Sequence, residues 1–175
     1  MGEDRTYTVK IVAVEDGRIL VEGDPYLFKD LRIGLKPPST NNYILDIAEV
    51  AYIIYSGAGK VLDEMGRELS LEDVFARYSR SKYDWVKFSV FVDLRNRGRV
   101  ARVGYSENVL LVEFGSRKFA VYVAEENSPL KSGDILVWVD KALMKGYEPV
   151  LALVDAHGDV TYYTLRTQKL EDLKV

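Results

Sequence analysis

The segment Val150-Leu-Ala-Leu-Val-Asp155-Ala-His-Gly158-Asp159-Val-Thr-Tyr-Tyr163 decides the architecture of the C-terminal part of the chain. An apolar run over 150–154 is followed by a short polar turn and by a second β-prone run over 160–165. The turn contains two aspartates and a glycine, which are residue types that favour tight turns. The segment therefore predicts two neighbouring strands joined by an acidic turn.

Upstream of this segment, helical and strand patterns alternate. Apolar spacing predicts helices over 82–97, where Gly98 supplies the stop signal, and over 132–145. Short alternating runs predict strands at 100–103, 109–113 and 119–123. The resulting order, αβββαββ, indicates a mixed sheet flanked by helices. The residues predicted to point inward from the first of these helices are Trp85, Phe88, Phe91 and Val92.

The N-terminal part has a different pattern. Alternating residues over 6–14 and 18–22, separated by Glu15-Asp-Gly17, predict a β-hairpin, and the run over 26–35 predicts a further extended segment. Helices are predicted over 45–57 and from Ser70, an N-cap with Asp73 as its capping partner, to about Arg80. We therefore predict an α+β chain with a small mixed domain over 1–82 and a second domain over 83–175, joined by a short boundary segment near 80–84.

Composition excludes several classes of site. The 175 residues include no cysteine and one histidine, so disulfides, thiolate metal sites and histidine-rich metal centres are excluded, and we expect neither a metal nor a cofactor. The net charge of −3 argues against a broad positive surface for nucleic acid. Any contact with RNA is expected to be local or shared with another chain.

The sequence also predicts a location. No charged leader with an apolar core and a cleavage site opens the chain. The most apolar stretch, over 43–57, is interrupted by Asp46 and Glu49 and is shorter than a bilayer-spanning helix, which needs about 20 residues. We expect a cytoplasmic protein without a membrane partner.

Two stretches carry a resemblance to a known family. Val92-Asp-Leu-Arg95-Asn-Arg-Gly98-Arg99-Val resembles a helix end of the form Asp-Leu-Arg-x-Arg-Gly-Tyr in the archaeal tRNA-intron endonucleases. The segment over 150–163 resembles the penultimate strand, acidic turn and final strand of the same family, and Leu69-Ser70-Leu-Glu-Asp73 fits its N-terminal domain. The resemblance spans 45–165 and implies a restriction-endonuclease-like C-terminal domain.

The resemblance also implies a chemistry that can be checked position by position. The family cuts precursor tRNA at a bulge-helix-bulge by attack of a 2′-hydroxyl, without metal, and uses a tyrosine, a histidine and a lysine. In this chain Arg99 stands at the tyrosine position and Phe119 at the histidine position, and neither serves as a base or an acid there. Glu148, or Tyr147 if the register slips by one, stands at the lysine position, although an insertion would move Lys145 there. We therefore expect no catalytic residues in this chain.

The chain keeps the family's framework but lacks its tyrosine, histidine and lysine. In this respect it resembles the structural subunit of the two-subunit, crenarchaeal-type enzymes. The implied partner is a homologous catalytic subunit, assembled as two heterodimers into a heterotetramer, and the implied substrate is precursor tRNA. The predicted subunit interface is the acidic turn and the last strand. It comprises Asp155, His157, Asp159, Val160, Tyr162 and Leu165. Each of these assignments has an alternative. The two aspartates cap backbone amides of the turn, His157 is an exposed turn residue, and the last strand lies inside the sheet of a single chain.

Arg99, Arg102 and Arg166 are candidate RNA contacts, Arg166 because the family places an arginine near this point. For the cluster over 95–102 the alternative is a solvated helix end favoured by the helix dipole. Two other functions stay open. One is an active endonuclease with a relocated site of Lys145, His157 and either Tyr105 or Tyr147. The other is a separate RNA-binding or interaction module.

Overall fold

The computed structural model describes residues 6–167 and divides into two compact units, Met1–Val92 and Asp93–Val175. The first unit has a four-stranded sheet in the order β3-β2-β1-β4. Its elements are β1 (Tyr7–Glu15), β2 (Arg18–Glu22), α1 (Pro25–Leu31), β3 (Tyr43–Leu45), α2 (Ile47–Tyr55), β4 (Gly59–Leu62) and α3 (Leu71–Tyr78).

The predicted hairpin of β1 and β2 is confirmed. The two strands pair in antiparallel register and turn at Asp16 and Gly17, whose φ angles of 47° and 73° suit a tight hairpin turn. Alternate residues of β1, Val9 and Ile11, are completely buried. This alternation fixes which face of the sheet covers the core.

The extended segment predicted over 26–35 is wrong, because α1 occupies its first part. The Asp24 side chain accepts a hydrogen bond from the Tyr26 amide at 2.9 Å, and Pro25 stands at the start of the helix. An aspartate cap followed by proline is a helix-start signal, and the β-prone residues after it hid that signal. The helix buries Leu27 and Phe28.

Helix α2 begins two residues later than predicted, since Leu45 belongs to β3 and Asp46 forms the cap. The Asp46 carboxylate also receives Lys87 at 2.7 Å, with side-chain exposures of 14% and 3%. Glu49 completes the capping box by accepting from the Asp46 amide. One buried ion pair therefore connects the start of α2 with α4 (Tyr83–Asn96), within the first compact unit.

The capping box of Ser70 and Asp73 is confirmed at the start of α3, although α3 ends at Tyr78, two residues before the predicted end. Helix α4 ends before Gly98, whose φ is 72°, as predicted. Phe88 and Phe91 are buried, but Trp85 is 52% exposed, so its predicted inward position is wrong. Trp85 lies in the first turn of the helix and packs edge-on against Phe75.

The predicted domain boundary after residue 82 lies at the start of α4. The division between the compact units falls inside this helix, after Val92.

The second unit has a five-stranded mixed sheet in the order β5-β6-β7-β8-β9. Only β7 and β8 are parallel, and α5 is the crossover between them. The α+β class and the mixed sheet are confirmed. The elements are β5 (Val100–Val103), β6 (Val109–Phe114), β7 (Arg117–Glu125), α5 (Ser132–Met144), β8 (Glu148–Val154) and β9 (Val160–Thr164).

Helix α5 covers one face of this sheet. Trp138, Val139 and Ala142 of the helix form a buried cluster with Val109 of β6 and Ala120 of β7. Alternation along the strands then places the neighbouring residues on the opposite face. Across residues 6–167, no helix is long and apolar enough to cross a membrane.

Candidate functional site

The positions singled out by the resemblance lie on the sheet face opposite α5, at one end of the sheet. Phe119 of β7 is the direct register partner of Glu148, the first residue of β8. Phe114 and Arg117 are partners across the turn between β6 and β7. Arg99 immediately precedes β5 and contacts Phe114. We call Arg99, Phe114, Arg117, Phe119 and Glu148 the arginine–phenylalanine row.

The centre of the row is an ion pair between Arg117 and Glu148. The Nε of Arg117 donates to Oε1 of Glu148 at 2.8 Å, and Nη2 donates to Oε2 at 2.5 Å. This bidentate geometry is the stronger form of an arginine–carboxylate contact. The hydrogen bond from Arg117 lowers the pKa of the Glu148 carboxyl and raises the pKa of Arg117. The same guanidinium lies 4.8 Å from the ring centroid of Phe119.

The outer end of the row is a stacked pair. The guanidinium carbon of Arg99 lies 3.5 Å from the ring centroid of Phe114, which is 53% exposed. Among residues 6–167, the Arg99 guanidinium has no carboxylate partner. The pair therefore places a partly buried cation against a half-exposed aromatic ring at the tip of the hairpin.

These five residues cannot perform the acid–base chemistry that the resemblance implies for these positions. A guanidinium holds its proton, a phenyl ring transfers none, and a carboxylate repels a developing phosphorane. The Arg117–Glu148 pair fills the place where the resemblance puts a free cation. The arrangement is suited to holding an anion or a planar group.

The residues of the relocated-site hypothesis are only partly brought together. The Nζ atoms of Lys141 and Lys145 lie 5.1 and 5.2 Å from the ring centroid of Tyr105, on the α5 side of the sheet. Burial raises the pKa of Tyr105, which packs with Tyr147 against the Trp138 cluster. His157 follows the far end of β8, and seven residues of strand, about 20 Å, separate it from Tyr147. The structure does not bring His157 to the lysines.

The acidic turn is held by one of its aspartates. The Oδ1 atom of Asp155 accepts from the amides of His157 at 2.8 Å and Asp159 at 2.9 Å. These bonds lower the pKa of Asp155. His157 is 88% exposed, and within residues 6–167 the side chain of Asp159 makes no hydrogen bond. The carboxylate of Asp155 therefore binds backbone amides of the turn, whereas the carboxylate of Asp159 is exposed to solvent.

Strand β9 is the edge of the sheet, and it ends one residue before the predicted end, Leu165. The hydroxyl of Tyr162 donates to Oδ2 of Asp93 in α4 at 2.7 Å, and Leu165 packs against the Trp138 cluster on the other face. Val160 is half-buried, and the neighbouring Tyr163 is 49% exposed. Of the predicted interface residues, Tyr162 on this strand and Leu165 just after it therefore make contacts inside the unit.

The arginines that were candidates for RNA contact do not share one surface. Arg102 lies on β5 and alternates with Ala101, so it points to the face opposite the row. Arg166 is exposed and close enough to Glu148 to lower that group's pKa. Arg99 and Arg166 therefore lie on the face that carries the row, and Arg102 lies on the opposite face.

Sequence reasoning missed Phe114 and Arg117. A signal was present, because Gly115-Ser116 between two strand patterns is a hairpin turn and places the flanking residues opposite each other. Within residues 6–167, no group of three or more histidine, aspartate or glutamate side chains is arranged to hold a metal ion.

Comparison with known proteins agrees with this geometry. The family model described as the catalytic C-terminal domain of the tRNA intron endonuclease matches residues 85–162, which places the C-terminal part in the class of tRNA intron endonuclease domains. The chain is 33% identical over 137 residues to the tRNA-splicing endonuclease of Pyrococcus abyssi, covering 71% of this chain and 76% of the relative. The enzyme of Thermococcus onnurineus is 31% identical over 139 residues with the same coverage.

A third relative, the tRNA-splicing endonuclease of Methanococcoides burtonii, is 27% identical over 140 residues, which are 77% of this chain but 40% of the relative. The chain belongs to the tRNA-splicing endonuclease family.

Proposed function

We propose that this chain is the structural, non-catalytic subunit of a tRNA-splicing endonuclease that removes introns from precursor tRNA at bulge-helix-bulge motifs. The cut is made by metal-independent attack of a 2′-hydroxyl, on a separate, homologous catalytic subunit. The observation that carries the proposal is the arginine–phenylalanine row. By the resemblance, Arg99, Phe119 and Glu148 stand at the three positions of the family's catalytic groups, and Arg117 forms an ion pair with Glu148 at the third.

The framework around the row supports a positional role. The mixed sheet, the α5 crossover and the turn over 155–159 lie largely within the range that matches the family, so we infer that the chain keeps the framework of an endonuclease subunit while its reactive groups differ. Two copies with two catalytic chains form the heterotetramer of the crenarchaeal-type, archaeal enzymes. In this assembly the chain completes the groove for the precursor.

Asp159 is the acidic side chain that we assign to the partner contact. Asp155 already satisfies two amides of its own turn, whereas the Asp159 side chain is exposed and makes no hydrogen bond among residues 6–167. A charge there is available to a basic groove on the catalytic subunit. On β9, the exposed ring of Tyr163 and the outer strand edge supply the rest of the contact.

The assembly is tested by measuring the mass of the mixture of this chain and the homologous catalytic chain by light scattering. We expect the mixture to form a species with the mass of two heterodimers. Asp159→Lys is expected to weaken this assembly. Glu113→Lys, which reverses an exposed charge on β6, is the control and is expected to leave the assembly intact. The Asp159 substitution keeps the backbone bonds of the turn, because Asp155 makes them. Separate species from the wild-type mixture would contradict the proposed subunit role.

A further inference from the structure

The outer end of the arginine–phenylalanine row has an unusual surface. Phe114 exposes 53% of its area at the hairpin between β6 and β7, and the Arg99 guanidinium is stacked at 3.5 Å from its centroid. Arg99 covers one face of this ring, and about half of the Phe114 surface stays open to solvent. Arg99, without a carboxylate partner among residues 6–167, supplies a cation beside this ring.

The charge on this face is opposite to that of the whole chain. Arg117 and Arg166 lie close to Glu148, and Arg99 stacks on Phe114 farther along the row. These three arginines and one carboxylate together give a balance of +2 on a protein whose net charge is −3. Lys118 and Glu113 alternate with these residues along their strands and point to the other face. Arg99, Arg117 and Arg166 therefore supply the positive charge on the face that carries the row.

We propose that the arginine–phenylalanine row is a binding site for a single-stranded RNA segment. One unpaired base stacks on the exposed ring of Phe114, and the adjoining phosphate is held by Arg99. The inference rests on the proposed function only in its choice of RNA as the ligand. The site would add a contact for unpaired nucleotides to a subunit that does not cut.

The geometry favours a single strand over other ligands. Stacking on an aromatic ring requires a base whose face is open, and in a duplex both faces of each base are covered by neighbours. A guanidinium next to the ring suits the phosphate of the same nucleotide, which the sugar connects to the stacked base. Glu148 pairs with Arg117, and Arg99 is the arginine that contacts the Phe114 ring, so Arg99 is the cation placed beside a base stacked there.

The test is the affinity of the full chain for a fluorescein-labelled single-stranded oligoribonucleotide of about ten nucleotides, measured by anisotropy over a range of salt concentrations. The same strand annealed to its complement is the comparison ligand. We expect Phe114→Leu to weaken binding of the single strand about tenfold and binding of the duplex much less. Tyr26→Leu, which removes an exposed ring in the first unit, is the matched control.

The arginine is tested through the salt dependence. Arg99→Gln is expected to lower the slope of log affinity against log salt by about 0.7, the value for one phosphate contact on a single strand. Lys118→Gln removes one charge from the opposite face and is expected to leave the slope unchanged. Glu148→Gln is expected to raise the slope by about 0.7, because Arg117 then loses its carboxylate.

The proposal is overturned if the single strand does not bind at low salt, or if Phe114→Leu and Arg99→Gln bind it as wild type does. It is also overturned if these variants keep RNA affinity and lose assembly with the catalytic chain, since the row is then a protein contact. Cleavage of precursor RNA by the mixed subunits separates the two proposals. If the RNA site is wrong but the structural role is right, the mixture still cleaves. If the structural role is wrong, adding this chain does not support cleavage.

Discussion

Tyr162 offers a direct test of how the last strand is anchored. Its hydroxyl donates to Oδ2 of Asp93 at 2.7 Å, and the same carboxylate oxygen accepts from Nε of Arg97 at 2.7 Å. A hydrogen bond to a charged group contributes about 1.5–3 kcal/mol. Because Tyr162 is only partly buried and Asp93 keeps Arg97, we take the lower end. Tyr162→Phe is expected to lower the free energy of unfolding by about 1.5 kcal/mol.

The assay is urea unfolding of this variant against Tyr163→Phe, its neighbour on the opposite face of β9. The Tyr163 ring is 49% exposed, and the hydroxyl makes no hydrogen bond among residues 6–167. We expect Tyr163→Phe to match wild type in urea and Tyr162→Phe to lose about 1.5 kcal/mol. In thermal unfolding the same loss corresponds to a midpoint about 3–6 °C lower. Equal stability of the two variants would refute the anchoring role of the Tyr162 hydroxyl.

The same contact has a pH signature. Burial and the bond to Asp93 raise the pKa of Tyr162 above the unfolded value of about 10. Above that pH the unfolded chain releases this proton while the folded chain retains it, so the stabilisation is complete below pH 10 and declines as pH rises. The stability difference between wild type and Tyr162→Phe is therefore expected to shrink between about pH 9 and 11. A constant difference would argue against the raised pKa.

Other predictions concern the first unit. Lys87→Met leaves the largely desolvated carboxylate of Asp46, whose side chain is 14% exposed, without its cation. It is expected to cost about 3 kcal/mol of unfolding free energy. Lys60→Met removes a half-exposed ion pair and is expected to cost less than about 1 kcal/mol. Urea unfolding measures both, and similar losses would mean that the buried pair has no special role. Ser70→Ala removes the cap of α3 and is expected to cost about 1 kcal/mol. Thermal unfolding against Ser89→Ala, inside α4, checks this, because alanine is favoured in a helix interior and the control is expected not to destabilise.

The sequence predicted those parts of the fold in which local signals agree. The hairpin at Asp16 and Gly17, the cap at Ser70 and the stop at Gly98 each depend on a few neighbouring residues, and all three are present. Helix α1 was missed because the residues after its cap and proline fit strand spacing as well as helical spacing. Trp85 was placed inward because helical spacing identifies a face and does not say how far along the helix the core extends.

The candidate site was predictable in part. Matching motifs gave Arg99, Phe119 and Glu148, and the structure brings these into one row. Arg117 was not predicted, because its pairing with Glu148 spans 31 positions and depends on the register between two parallel strands. The inward role of Tyr162 was hidden for a similar reason, since its partner Asp93 is 69 positions away.

The central claim is that this chain supports cleavage without performing it. The most direct measurement is cleavage of a bulge-helix-bulge RNA in EDTA by this chain alone, by the homologous catalytic chain alone and by their mixture. The account predicts no product from this chain alone and product from the mixture, with a cyclic phosphate and a 5′-hydroxyl at the cut. Cleavage by this chain alone would contradict the account and would direct attention to Lys145 and Tyr105, the lysine–tyrosine pair on the other face of the sheet.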